Sequence, residues 1–141
     1  MSDALPSRPV PQLTDLNRAF WTSGEHGVLM LQRCTSCERL VHPPALVCPH
    51  DHGELVAAAV SGRGVVESWT VNEHPWFSWL PPRLVIAFVT PVEDDRVRLL
   101  TNVVDVDPDS MEVGLPVSVR FERVDSDDDV VFVPLFVPET A

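Results

Sequence analysis

The chain has 141 residues, 45% of them hydrophobic, enough for one packed domain or one domain with a small appendage. All ten basic residues are arginine, set against 21 acids, for a net charge of −11. That balance argues against nucleic acid, whose phosphates need clustered cations, and disfavours anionic membrane surfaces.

No apolar run approaches the roughly 18 residues of a membrane span. Met1 to Val10 lacks a basic-then-apolar signal pattern. A reducing cytoplasm is therefore the expected compartment, and cysteines there serve as ligands or buried thiols rather than disulfides.

Residues 1–13 are Pro-rich and polar and are expected to form a flexible arm. Thr14 stands as an N-cap with Asp15 in the first turn. Leu16, Ala19 and Phe20 succeed it at helical spacing, and Gly24 or Gly27 ends the pattern. A short amphipathic helix is predicted over 14–24, with Phe20 and Trp21 packing onto elements later in the chain.

Val28 to Arg33 reads as a strand, Leu40-Val41 as its return, and His42-Pro43-Pro44 as a break. From Leu55 the character is β. The runs are Leu55 to Val60, Gly64 to Val71, Arg83 to Pro91, Arg96 to Val104, Val117 to Glu122 and Val130 to Val133. Leu84 to Val89 is nearly all apolar and suits a strand buried on both faces. Val117 to Glu122 alternates apolar and polar residues, as a half-exposed strand does.

The acid clusters Glu93-Asp94-Asp95, Asp105 to Asp109 and Asp125 to Asp129 fall between these runs and read as solvated turns. A calcium loop over Asp105 to Asp109 fits poorly, because Pro108 intervenes and no Gly-x-Glu pattern comes after it. Little helix, five or more strands and tight turns predict a small antiparallel barrel. The expected division is an arm over 1–13, a helix with a ribbon-like module over 14–54, a barrel over 55–138 and a tail over 139–141.

The chemistry-bearing motif is Cys34-Thr35-Ser36-Cys37, separated by ten residues from Cys48-Pro49-His50-Asp51-His52-Gly53. Structural zinc takes four ligands in a tetrahedron, and paired Cys-x-x-Cys turns supply two each. Here the fourth cysteine is missing. Asp51 occupies its register and keeps the site charge but is a harder donor. His52 lies one position late and is the better zinc ligand chemically. The alternative is a ribbon that has lost its metal and keeps three free thiols.

These segments resemble a known family. Gly27 to Cys37, then Pro43-Pro44 and Cys48-Pro49, look like the rubredoxin-type zinc ribbon of the thiolase-associated ribbon/OB-fold proteins, long catalogued as a domain of unknown function. Ser61 to Val71, Pro81 to Val89, Gly114 to Phe121 (Gly-x-Pro-Val-x-Val-x-Phe) and Val133 to Pro138 resemble strands of the same family's barrel. The likeness runs over about residues 14–138 and rests on the ordered set rather than on one motif.

It implies a short N-terminal helix, a rubredoxin-like zinc ribbon and a five-stranded antiparallel OB-fold barrel. Zinc ligation carries over for Cys34, Cys37 and Cys48 only. The resemblance also implies a role as a non-catalytic accessory subunit beside a thiolase-like enzyme acting on acyl-CoA in lipid or steroid metabolism. The alternative is a stand-alone acyl-CoA-binding OB module.

The residues add two independent hints. His74-Pro75-Trp76-Phe77-Ser78-Trp79-Leu80 lies between strands, and Trp76, Phe77 and Trp79 on a loop mark a partner interface, an acyl contact or a plug over the barrel end. Arg33, Arg63 and Arg83, with Arg39, flank the ribbon–barrel junction and are candidates for an anionic coenzyme contact. No nucleophile elbow or phosphate-cradling loop appears. Glu73 and His74 are strand neighbours, which point to opposite faces and make a poor acid–base pair.

Overall fold

The computed structural model describes residues 8–126 and 128–139. Residues 1–7 of the expected arm, Asp127 of the last acidic turn and residues 140–141 of the expected tail lie outside the described residues.

The helix is shorter than the sequence pattern predicts. α1 covers Arg18–Thr22, and a 3-10 turn continues over Ser23–His26. Thr14 does act at the entry: its Oγ1 accepts the Asn17 N–H at 3.2 Å, and Asn17 Oδ1 accepts the Thr14 N–H at 2.8 Å. That reciprocal pair closes a turn, and regular α geometry begins only after it. Gly27 is the stop, in the left-handed conformation at φ 71°.

Phe20 packs against the main core, while Trp21 packs against a second cluster of Val124, Val131, Val133 and Leu135. Two adjacent helical residues thus bind the segment to two parts of the barrel. Gly24 makes this approach possible. A Cβ there would lie 2.4 Å from Phe121 Cδ1 and 2.6 Å from Phe132 Cβ. Gly24→Ala is expected to cost about 1–3 kcal/mol through overpacking, read as a lower urea midpoint at unchanged m value.

The ribbon is a three-stranded antiparallel sheet. β1 (Leu29–Cys34) is central, β2 (Leu40–Val41) pairs on one side and β3 (Leu55–Val60) on the other. The run Leu55–Val60, expected to open the barrel, is instead registered along the whole of β1, from Leu29↔Val60 to Cys34↔Leu55. Its small apolar side chains suit either sheet, and only the pairing distinguishes them.

The barrel contains β4 (Arg63–Asn72), β5 (Leu84–Pro91), β6 (Leu99–Val103), β7 (Pro116–Asp125) and β8 (Val130–Pro138), closed in the order β4-β5-β6-β8-β7. β6 meets β8 through one parallel bridge, Val103↔Phe136, while the other ladders are antiparallel. A register shift between Val66 and Ser68 supplies the local bend that a closed barrel requires. Gly64 lies so close to β5 that a Cβ would come 2.7 Å from the Thr90 carbonyl oxygen.

Val66, Val85, Val89, Val103, Val117 and Phe136 are fully buried. Leu29, Leu31 and Leu40 of the ribbon belong to the same cluster, so ribbon and barrel share one core.

The turn Glu93-Asp94-Asp95 departs from the solvated reading at its middle residue. Asp94 is buried, its side chain only 5% exposed. Its Oδ2 accepts the Leu40 N–H at 3.1 Å, and its carboxylate also takes the Arg96 side chain at 2.8 and 3.0 Å. A barrel turn thereby satisfies a backbone donor of the ribbon strand β2. The Arg96 guanidinium, with the Arg96 and Leu40 N–H groups, outweighs burial and holds the carboxyl at about 2.

The cluster at 105–109 serves as turn chemistry. Asp107 caps the 3-10 turn Pro108–Ser110 by accepting the Asp109 N–H at 3.0 Å, and Asp105 pairs with Arg120. Among the described residues, no helix is long and apolar enough to cross a membrane.

Candidate functional site: a metal knuckle and an aromatic loop

The two halves of the ribbon tip repeat one backbone pattern. In the first, Cys34 N–H donates to the Arg39 carbonyl at 2.9 Å and Glu38 N–H to the Cys34 carbonyl at 3.0 Å. In the second, Cys48 N–H donates to the Gly53 carbonyl at 3.0 Å and His52 N–H to the Cys48 carbonyl at 2.9 Å. Glu38 and His52 both adopt positive φ, 65° and 63°. His52 is therefore the counterpart of Glu38, and Asp51 is the counterpart of Cys37.

The donor atoms obey this pseudo-symmetry. One ligand atom each from Cys34, Cys37, Cys48 and Asp51 lies within 4.8 Å of every other, and His52 is not in the group. Cys37 Sγ and Cys48 Sγ are 3.8 Å apart, and Cys34 Sγ lies 3.3 Å from Asp51 Oδ1. A tetrahedron with zinc–sulfur bonds of about 2.3 Å has sulfur–sulfur edges of about 3.8 Å. The donor set fits a zinc ion.

Backbone N–H groups support it. Those of Ser36 and Cys37 point to Cys34 Sγ, and that of His50 to Cys48 Sγ, each at 3.4 Å. Gly53 completes the cradle: a Cβ there would sit 2.8 Å from Cys34 Sγ and 2.9 Å from Asp51 Oδ1.

The electrostatics of the tip are uneven. The Cys37 N–H, ahead of other contacts, lowers the Cys34 thiol. The Arg39 N–H favours the Cys37 thiolate, but desolvation and the neighbouring sulfurs prevail and push that thiol up to about 11. The Gly53 N–H at 2.8 Å, and then the Cys34 thiol, hold Asp51 below the usual carboxylate range. Three of the four groups are thus not equally ready to ionise, and a cation at the centre is what makes all of them anionic together.

The aromatic loop does not plug the barrel. Trp76 is 69% exposed and Phe77 58%. Phe77 stacks on Trp79 with centroids 5.7 Å apart, and the Arg8 guanidinium carbon lies 5.6 Å from the Trp79 ring centroid. His74 packs edge-on against Trp76 at 4.3 Å, while Glu73 faces Arg83 at 3.6 Å. Glu73 and His74 thus have separate partners, although they lie beyond the end of β4, in the loop rather than in a strand as the sequence pattern suggests.

The arginine candidates do not converge. Arg63 binds Glu139 at 2.9 Å, Arg83 binds Asp109 at 2.7 Å, and Arg39 meets His50 Nδ1 at 2.9 Å. Arg33 lies within β1, its Nε buried with no hydrogen-bond partner among the described residues. Sequence reasoning passed over Arg8, which reaches Trp79 and Asn102 and ion-pairs with Glu122. Its position in a Pro-rich segment gave no local signal.

Comparison with known proteins matches this architecture domain by domain. Residues 21–56 match the model described as the ChsH2 rubredoxin-like zinc ribbon domain, and residues 57–122 the ChsH2 C-terminal OB-fold domain. A probable enoyl-CoA hydratase alpha subunit of Thermomonospora curvata is 34% identical over 134 residues, covering 93% of this chain and 40% of that protein. The chain thus spans well under half the length of that relative. A DUF35 domain-containing scaffold protein of Methanothermobacter thermautotrophicus is 33% identical over 96 residues, covering 65% of this chain and 70% of that protein.

Among solved structures, a chain of an Ltp2-ChsH2(DUF35) aldolase superimposes with a TM-score of 0.75 at 33% identity, covering 92% of this chain and 98% of that one. A DUF35-family protein of Sulfolobus solfataricus, at 16% identity and a TM-score of 0.58, shares the fold. Both domain models match in chain order, and two relatives are matched over most of their own length; the chain belongs to the ChsH2/DUF35 family, a rubredoxin-like zinc ribbon joined to a C-terminal OB-fold domain.

Proposed function

We propose that the chain is a non-catalytic accessory subunit of a thiolase-superfamily enzyme complex that acts on acyl-CoA in lipid or steroid metabolism. The exposed loop over residues 73–83 carries this reading: Trp76 and Phe77 face solvent on a chain whose relatives include a component of an aldolase complex and a scaffold protein. Large aromatics left outside a core that could have buried them are typical anchors for a protein partner. The acidic surface fits such a partner better than a nucleic acid.

In the same reading the ribbon holds one structural zinc through Cys34, Cys37, Cys48 and Asp51. When bound, the ion cross-links the two knuckles and fixes the ribbon tip against the barrel. It leaves no ligand position free for substrate.

The test is capture of a thiolase-like enzyme subunit by the full chain. Trp76→Ala and Phe77→Ala are each expected to weaken capture at least tenfold, about 1.4 kcal/mol or more, with no change in thermal midpoint. A loss of folding instead would mean that the loop belongs to the core.

A further inference from the structure

The sheets of this molecule leave little open edge. The barrel is closed, so among the described residues the free edges belong to the ribbon. Its two edges are unlike. β2 is two residues long and runs into His42-Pro43-Pro44, a short, proline-blunted edge that resists further pairing. β3 is six residues long, and among the described residues only β1 pairs with it, on one side. Alternate residues of β3 therefore turn both N–H and C=O away from β1.

None of the usual protections covers that row of donors and acceptors. Leu55-Val56-Ala57-Ala58-Ala59-Val60 contains no charge, no proline and no glycine, and its pairing with β1 runs through without a bulge. Val56 is 43% exposed, and Ala57 and Ala59 are exposed as well. The free edge stops at Val60, because the Ser61 N–H donates to Glu93. On a chain of net charge −11, an uncharged edge of this length is a template for another strand.

The order of side chains selects the occupant. Val56 to Val60 reads Val-Ala-Ala-Ala-Val in both directions. Antiparallel pairing about a two-fold axis at Ala58 matches Val56 with Val60 of a second copy, Ala57 with Ala59, and Ala58 with itself. The valines and Ala58 share the face that carries Leu29 and Leu31 on β1, and Ala57 and Ala59 share the other. The half-exposed Val56 thereby gains a β-branched cross-strand neighbour. The charges that bracket the run complete the match. Glu54 precedes it and Arg63 follows it, both exposed. Arg63 meets Glu139 through Nε and keeps further donors. Antiparallel copies bring the acid of each toward the arginine of the other at both ends, whereas parallel copies would bring like charges together.

We propose that two copies of the chain associate through β3, antiparallel about a two-fold axis at Ala58, so that two ribbon sheets become one. The contact is isologous, each copy offering the same residues. It uses neither the aromatic loop nor the donors of the metal knuckle, and it does not rest on the accessory-subunit reading.

Sedimentation equilibrium of the full chain over a concentration series reads it. The expected mass rises from the chain mass of 15.7 kDa to twice that value. Ala57→Lys combined with Ala59→Lys sets like charges opposite each other across the axis and is expected to raise the dissociation constant at least about tenfold. Ala57→Glu combined with Ala59→Lys alters the same exposed positions but sets opposite charges across the axis, and is expected to restore the dimer. Both variants should keep the native circular dichroism spectrum. The proposal is overturned by a mass that stays at that of one chain throughout, by equal behaviour of the two double variants, or by a dimer that is lost on Trp76→Ala and Phe77→Ala instead. Enzyme capture is scored separately, so either reading can fail while the other stands.

Discussion

On the proposed zinc ligation, Asp51→Ala is expected to strip the ribbon of its metal, whereas His52→Ala is expected to leave it in place. The backbone decides this, since His52 occupies the turn position of Glu38 and Asp51 that of a ligand. Losing one of four ligands should lower zinc affinity by more than the roughly 10–100-fold typical of an outer-shell partner. Competition with a chromophoric chelator and elemental analysis of the purified protein both read it. Asp51→Cys should tighten binding, because a thiolate is the softer donor.

The structural consequence of metal loss should be confined. The ribbon tip has only a small apolar cluster around Cys34, Val41 and Cys48, too little to hold two knuckles without a cross-link. Leu29, Leu31 and Leu40, by contrast, are anchored in the barrel core. Chelation is therefore expected to speed amide exchange over residues 34–53 while β1 from Leu29 to Leu31 and the barrel stay protected.

Asp94→Ala should be the most damaging substitution outside the core and the knuckles. It leaves the Leu40 N–H buried without an acceptor and frees Arg96 from its partner. Orphaning a buried donor costs about 1–3 kcal/mol, and removing one partner of a buried pair about 3–5 kcal/mol. Arg96 is 55% exposed, so screening puts the expected cost near the lower figures, about 3 kcal/mol in all. A fall in thermal midpoint of roughly 10 °C is expected for a chain of this size.

Acid should act on the same contact. The folded Asp94 carboxyl is depressed to about 2, below the ordinary value near 3.9. Its contribution is complete above about pH 4 and is lost as pH falls through about 2. The wild type and Asp94→Ala should therefore converge in stability as the medium is acidified below about pH 4.

The cysteine spacing and the alternation of apolar residues made much of this molecule legible. Cys34-x-x-Cys37 and Cys48 fixed the ribbon, and the apolar run at 84–89 and the alternation at 117–122 fixed barrel strands β5 and β7. Leu55–Val60 joins the ribbon sheet rather than the barrel, a difference the sequence does not show because pairing is a long-range choice that short apolar strands do not encode locally. Asp94 looked like any turn acid, since its burial depends on the distant Leu40 N–H. The choice between Asp51 and His52 turned on a repeat of backbone hydrogen bonds that side-chain chemistry alone cannot reveal.

Co-expression with a thiolase-like enzyme subunit, then affinity capture on this chain, tests the accessory role most directly. The expected result is a stoichiometric complex that survives gel filtration, that requires Trp76 and Phe77, and whose turnover of acyl-CoA is absent from this chain alone. A well-folded chain that elutes by itself beside every such subunit, or that turns over acyl-CoA unaided, would rule out the accessory role.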